Sequence, residues 1–198
     1  MHMRLPAGAH TSQPWRIHEL TRDFRLEDVW GLEAPGDQGD FERGVRLIAS
    51  YDSAHSSAWA VRALFALRWK IGGLLGWDDE RTGLGDRVPT LRDRLPADLR
   101  AHPGPAFDAL PFDTLYMLDD EFAAEIANQT MHGVMHIGLV DDDAGRRAQM
   151  AVLVKPNGLF GRAYMAAIKP FRHLIVYPAI IREVEQAWRA PSRRPAAQ

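Results

Sequence analysis

Two carboxylates and two imidazoles recur in this chain at one matched spacing. Glu121 and Glu125 are four residues apart, and so are His132 and His136. On a β-strand four residues is an even step, so both members of each pair share a face. A two-residue turn at Asn128-Gln129 would set Ile126 opposite Met131 and Phe122 opposite Met135. The same turn sets Glu125 opposite His132 and Glu121 opposite His136. Such a set could bind a divalent cation, or act as acid and base. The plainer reading is an outward sheet face carrying cross-strand charge pairs. Met131, Met135, Ile137 and Leu139 form the apolar face and must meet the core. That turns His132, His136 and the glutamates toward solvent or a subunit contact; an inverted register would line a cavity with them. A short helix over 120–128 competes with the hairpin, since Asp, Glu and Ala at its start suit one.

Other polar groups sit on an apolar background near the C-terminus. Arg162, Lys169 and Arg172 suit snorkelling to solvent. Tyr164 and Tyr177 can aim a hydroxyl into a pocket, and His173 follows Pro170-Phe171-Arg172, where a kink could turn it inward. A satisfied structural histidine is the alternative for His173. Trp59 and Trp69 could form a cavity wall or simply pack the core. Asp78-Asp79-Glu80 fits a solvated helix end, with metal binding as the rarer reading. The catalytic candidates are therefore His173, Tyr164, His132 and His136, and the ligand-binding candidates Trp59, Trp69, Tyr164, His173 and Tyr177. No metal and no cofactor is expected. No GxSxG elbow supports a hydrolase triad, and neither GxGxxG nor GxxxxGK[ST] occurs.

These residues need elements to position them. At 198 residues the chain suits a single domain with one good core. Its 46% apolar and 25% charged residues are ordinary for a globular protein, and a net charge of −2 gives no reason to expect nucleic acid. The absence of cysteine excludes disulfides, thiolate sites and cysteine nucleophiles. The N-terminus lacks a signal-peptide core, and a cytoplasmic location is expected. The stretch 59–75 is apolar but interrupted by Arg62, Arg68 and Lys70, so it reads as a buried helix and no membrane span.

The expected order is a flexible arm over 1–14, a single domain over 15–189 and a disordered tail over 190–198. Within the domain, 24–32 reads as a first strand. Asp40 is an N-cap ahead of Phe41, Val45, Leu47 and Ile48, and Ser56-Ser57 caps the 59–75 helix. The Arg-, Asp-, Pro- and Gly-rich stretch 78–111 is mostly loop, with a helical turn near 96–100. A meander follows at 114–118, 122–127, 131–140 and 149–155. Then Pro156-Asn157-Gly158 leads into a long apolar helix, 159–189, interrupted by Pro170 and Pro178.

The segment Val154-Lys155-Pro156-Asn157-Gly158-Leu159-Phe160-Gly161-Arg162-Ala163-Tyr164, followed by Ile168-Lys169-Pro170-Phe171-Arg172-His173, resembles the end of an uncharacterised bacterial domain family of unknown function. That family is frequent in actinobacteria and is also found C-terminal to short-chain-dehydrogenase-like domains. Pro14-Trp15-Arg16-Ile17-His18, the run Asp23 to Trp30, Leu67-Arg68-Trp69-Lys70-Ile71-Gly72 and His132-Gly133-Val134-Met135-His136 resemble its stand-alone type. The element order is further similar to the START and polyketide-cyclase (SRPBCC) superfamily. The resemblance implies an α+β helix-grip fold, in which a curved antiparallel sheet grips a long kinked C-terminal helix around an apolar cavity. The expected role is a domain binding a small apolar or aromatic molecule. The alternatives are a cyclase, aromatase or isomerase using the same cavity, and a structural or interaction protein with a filled core. A homodimer is possible.

Overall fold

A strand with apolar side chains at both parities must be covered on both faces. The segment 131–142 is such a strand: Val134 and Val140 are buried on one side, Ile137 on the other. The computed structural model describes residues 3–32, 38–51, 84, 88–128, 130–142 and 145–189, and in it this strand lies inside a mixed α+β fold. The strands are β1 (Met3–Arg4), β2 (Arg25–Leu32), β3 (Asp113–Met117), β4 (Glu121–Ala127), β5 (Met131–Asp142) and β6 (Gly145–Pro156). They form one antiparallel sheet in the order β1-β2-β6-β5-β4-β3.

One face is covered by short pieces. These are α1 (Gly8–Thr11), α2 (Ile17–Leu20), a 3-10 turn at Leu91–Arg94 and α4 (Ala97–Arg100). They lay Trp15, Ile17, Leu91 and Leu99 over Val29, Tyr116, Ala123 and Val134. The other face carries α3 (Gln38–Ala49) and the C-terminal helices α5 (Gly158–Phe171) and α6 (Tyr177–Arg189). There Phe41, Val45, Ile181 and Trp188 meet Trp30, Phe122, Ile137 and Met150. Helices α3 and α6 cross closely at Gly44, where a Cβ would lie 2.2 Å from the Trp188 ring.

The hairpin is present, with its register two residues from the one expected. Ala123 pairs with His136, Glu125 with Val134 and Glu121 with Gly138. A shift of two preserves the side-chain parity, so the glutamates and histidines still share a face. Asn128 shapes the turn, its Oδ1 accepting from Thr130 N–H, Thr130 Oγ1–H and Met131 N–H. The environment of that face differs from expectation. Glu121, Glu125, His132 and His136 are buried, facing neither solvent nor a free surface, because the N-terminal segment and residues 90–100 lie over them.

Residues placed in the expected N-terminal arm make defined contacts. Met3 and Arg4 pair with Gly31 and Trp30, Leu5 N–H donates to Val29 O at 2.8 Å, and His10 is 0% exposed. Helix α3 starts at Gln38, two residues before the expected cap, so Asp40 lies in its first turn and pairs with Arg43 at 2.8 Å. The expected turn near 96–100 is α4, entered through Pro96. The 59–75 helix, Asp78-Asp79-Glu80 and the tail lie outside the described residues. The long terminal helix is two helices joined by a π turn at Arg172–Val176. Pro170 and Pro178 each remove an N–H from the helical ladder, and the widened turn between them accommodates the loss. Among the described residues no helix is long and apolar enough to cross a membrane.

Candidate functional site

The buried polar row on β4 and β5 is two clamps of one design. Glu121 accepts from four donors: Arg16 N–H at 2.9 Å, Ile17 N–H at 2.9 Å, Tyr116 Oη–H at 2.6 Å and His136 Nε2 at 3.1 Å. The first two are free amides at the start of α2, which a carboxylate can cap. Glu125 repeats the arrangement four residues on. It accepts from Leu91 N–H at 3.0 Å, from Thr90 Oγ1–H, and from His132 Nε2 at 2.8 Å, and so holds the start of the 3-10 turn. Each glutamate thus fastens one covering segment, and each is propped by a histidine diagonal to it across the hairpin.

Protonation follows from the donors. Burial works to raise the Glu121 carboxyl, but hydrogen bonds from His136, Tyr116 and the Arg16 amide outweigh it and hold it below the usual carboxylate range. Glu125 is held low in the same way, with His132, Thr90 and Leu91 overcoming its burial. Burial, aided by the neighbouring Glu121 charge, pushes the Tyr116 hydroxyl far up, so it stays a donor. An ionised Glu121 only accepts, so His136 donates to it through Nε2 and presents Nδ1 as an acceptor. His10 Nε2 lies 3.2 Å from that Nδ1 and must carry the proton between them. The remaining His10 Nδ1 is then a bare lone pair, and it has no partner. Burial first, then the neighbouring His136 and His18, lower the His10 pKa to about 3; burial likewise lowers that of His136. Both rings are neutral at pH 7.

Trp15 roofs this compartment, 4.9 Å from the His10 ring and 4.7 Å from the His136 ring between centroids. It fits because residue 138 is glycine: a Cβ there would lie 2.4 Å from the indole. His18 stands edge-on to His10 at 4.9 Å. Among the described residues no group of three or more His, Asp or Glu side chains is arranged to hold a metal ion. The geometry is that of a structural fastening.

The opposite face holds a second cluster, at the start of the C-terminal helices. His173, on the π turn, brings Nε2 into contact with Oδ1 of Asp28, a β2 carboxylate with 0% side-chain exposure. The Arg4 guanidinium approaches the same oxygen at 3.8 Å. Trp30 stands edge-on to His173 at 6.5 Å and tilted against Tyr177 at 5.8 Å. The Trp30 indole N–H is buried and has no hydrogen-bond partner, which is costly unless something accepts it. His173 and Tyr177 are only partly buried, as are Pro178, Ala179 and Ile180, so packing loosens here relative to the Gly44–Trp188 end. The contact places an imidazole and a carboxylate side by side, the pair of groups that proton transfer uses.

Two β-bulges set up these sites. In β2 the pairing steps from Leu26–Leu153 to Asp28–Val152, so one extra residue turns Asp28 to the helix side although Leu26 faces the other way. In β3 the step from Thr114–Ala124 to Tyr116–Ala123 turns Tyr116 toward Glu121. Of the residues expected to matter, the structure brings together His173 and Tyr177 around Trp30, and it separates them from His132 and His136 by the thickness of the sheet. Tyr164 falls within α5; Trp59 and Trp69 lie outside the described residues. Sequence reasoning missed Asp28, Trp30, His10, His18 and Tyr116. A signal existed for His10 and His18, two histidines bracketing Trp15, but nothing placed that segment on the sheet.

A concavity of about 460 Å³ lies elsewhere, between α3 and the 101–105 loop, lined by Phe41, Arg46, His102 and Asp119 among others. Among the described residues, neither His173 nor Tyr177 borders it. Comparison with protein families matches residues 20–179, most of the chain, to one family, whose description is protein of unknown function (DUF2867). The chain belongs to that family. The match runs from Leu20 through Ala179, so it includes Glu121, Glu125, His132, His136, Asp28, His173 and Tyr177, while His10, Arg16 and Ile17 precede it. Neither a curated protein nor a solved structure matches the chain.

Proposed function

We propose that this domain binds a small apolar or aromatic molecule between the sheet and the C-terminal helices, at the mouth framed by Asp28, Trp30, His173 and Tyr177. The observation that carries the reading is the buried, unpartnered Trp30 N–H beside the His173–Asp28 contact. An acceptor atom on a flat apolar ligand would satisfy that donor, while the Trp30 and Tyr177 rings would pack against its body. The fold is read here as helix-grip-like. Its first long strand lies beside its last, and a kinked C-terminal rod crosses the face they share. The rod is less buried at its His173 end than at its Trp188 end, which leaves that end for a ligand to enter.

Native mass spectrometry of the purified protein tests this directly. The expected result is a co-purifying small molecule, released on denaturation and absent from the Trp30→Phe and His173→Ala variants. A bare mass for the folded wild type, with no saturable binding of the apolar dye ANS, overturns the reading in favour of a filled structural core.

A second reading, an isomerase or cyclase at the same mouth, is favoured by the His173–Asp28 contact. A bell-shaped pH–rate profile lost in Asp28→Asn would distinguish catalysis from simple binding.

A further inference from the structure

We infer that the N-terminal segment, residues 3–20, is a strap that mild acid releases from the sheet, through the buried imidazole chain that anchors it to Glu121. The strap is held along its length by the β1 pairing, Leu5 N–H on Val29 O, the Arg16–Asp98 ion pair at 2.6 Å and the packing of Ile17 and Leu20. Its buried polar anchor is Arg16 and Ile17 N–H on Glu121 and His10 on His136, with Trp15 over Gly138. Among the described residues, the titratable groups facing His10 and His136 are His18 from the strap, Glu121 from β4, Tyr116 from β3 and Asp120 from the turn before β4. Among the described residues Glu121 is the one carboxylate in hydrogen-bond contact with this chain, and four donors already occupy it. A proton added to the chain therefore places a charge among fully buried rings with no free acceptor for it.

The closed state also carries unmet polar groups. His10 Nδ1, His18 Nε2 and both amide atoms of Gln149 are buried without partners. Gln149 lies on β6 opposite Gly138, beneath the strap. Opening lets water reach these atoms, so closure is held by a smaller margin than its apolar contacts suggest. The sign follows from His10. Its ordinary value is 6.5 and its closed-state value about 3, so closure is fully supported above pH 6.5 and weakens as pH falls. Between pH 7.5 and 5.0 this one proton lowers the closed-to-open ratio about 30-fold.

Hydrogen–deuterium exchange on the full chain at pH 7.5 and 5.0, corrected for intrinsic exchange, reads this out. The expected result is a roughly 10-fold or greater loss of protection at pH 5.0, confined to residues 3–20, while β5, β6 and α6 keep theirs. His10→Gln, neutral at both pH values and still able to donate to His136, should reduce the pH response to under about 3-fold. Equal wild-type protection at the two pH values overturns the proposal. So does a loss spread evenly over sheet and helices, or a His10→Gln variant that keeps the full response. Should that variant not fold, the wild-type comparison and His18→Gln decide alone. Protection of the 173–180 segment is recorded in the same data, so failure here leaves the ligand-binding proposal standing.

Discussion

Glu121 concentrates more of this fold than any neighbouring residue, because one carboxylate closes a helix start, a tyrosine and an imidazole chain together. Replacing it with Gln keeps the shape but turns one acceptor oxygen into a donor facing other donors. Equilibrium urea unfolding of Glu121→Gln should show a loss of about 2–4 kcal/mol, whereas Tyr116→Phe, which removes a single bond, should lose about 1–2 kcal/mol. The pH dependence has a definite sign. Glu121 and Glu125 are held below 4.5, so their contribution is complete above that value and disappears below it. His10 is depressed from 6.5, so its contribution fades earlier, as pH falls below 6.5. Stability measured from pH 8 to 4 should therefore be level at first, decline gently below 6.5 and steeply below 4.5; a rise on acidification would refute the neutral-imidazole assignment. The pairing of these residues was legible in their spacing, since parity survives a shift of two. Their burial was not, because it depends on covering segments distant in sequence, residues 3–20 over Glu121 and His136 and residues 90–100 over Glu125 and His132.

At the scale of elements, strands and hairpins were legible from alternation and turn residues, and the proline-broken terminal helix from Pro170 and Pro178. The bulges were not. A single extra residue leaves no mark in the pattern around Glu27 or Leu115, yet it decides which face Asp28 and Tyr116 join. The π turn is comparable: prolines announce an interruption without saying that His173 will be aimed at β2. Pro178→Ala tests that device. It restores an amide able to bond the Leu174 carbonyl, favours a regular helix and rotates His173 away from Asp28. Thermal stability should hold or rise by up to about 1 kcal/mol, while ANS or co-purified ligand is lost. Gly138→Ala tests the strap's seat. The added methyl would sit 2.4 Å from the Trp15 ring, so a destabilisation of about 1–3 kcal/mol is expected in urea. Trp15→Leu should relieve part of it.

The described residues form a sheet with two unlike coverings. One is stitched on by short turns and buried carboxylates; the other is a helical layer locked by Trp188 at one end and loosened at the other. The sheet separates them, since alternation sends successive side chains to opposite faces. Perturbations on the two faces should therefore be energetically independent, and perturbations on one face should not be. Gly44→Ala forces a methyl to 2.2 Å from the Trp188 ring on the helical face. Glu121→Gln and Gly138→Ala both act on the strap face, one through the α2 amides and the other through Trp15 on the residue before them. Combined with Glu121→Gln, Gly44→Ala should add within about 0.5 kcal/mol. Gly138→Ala should fall short of additivity by about 1 kcal/mol or more, because a strap already loosened by one change has less to lose from the other. Strong coupling across the sheet would instead mean that the two layers share a rigid core. In that case acid release of the strap would have to reach the Asp28–His173 cluster as well, and the fold would have one cooperative unit where the hydrogen bonds describe two.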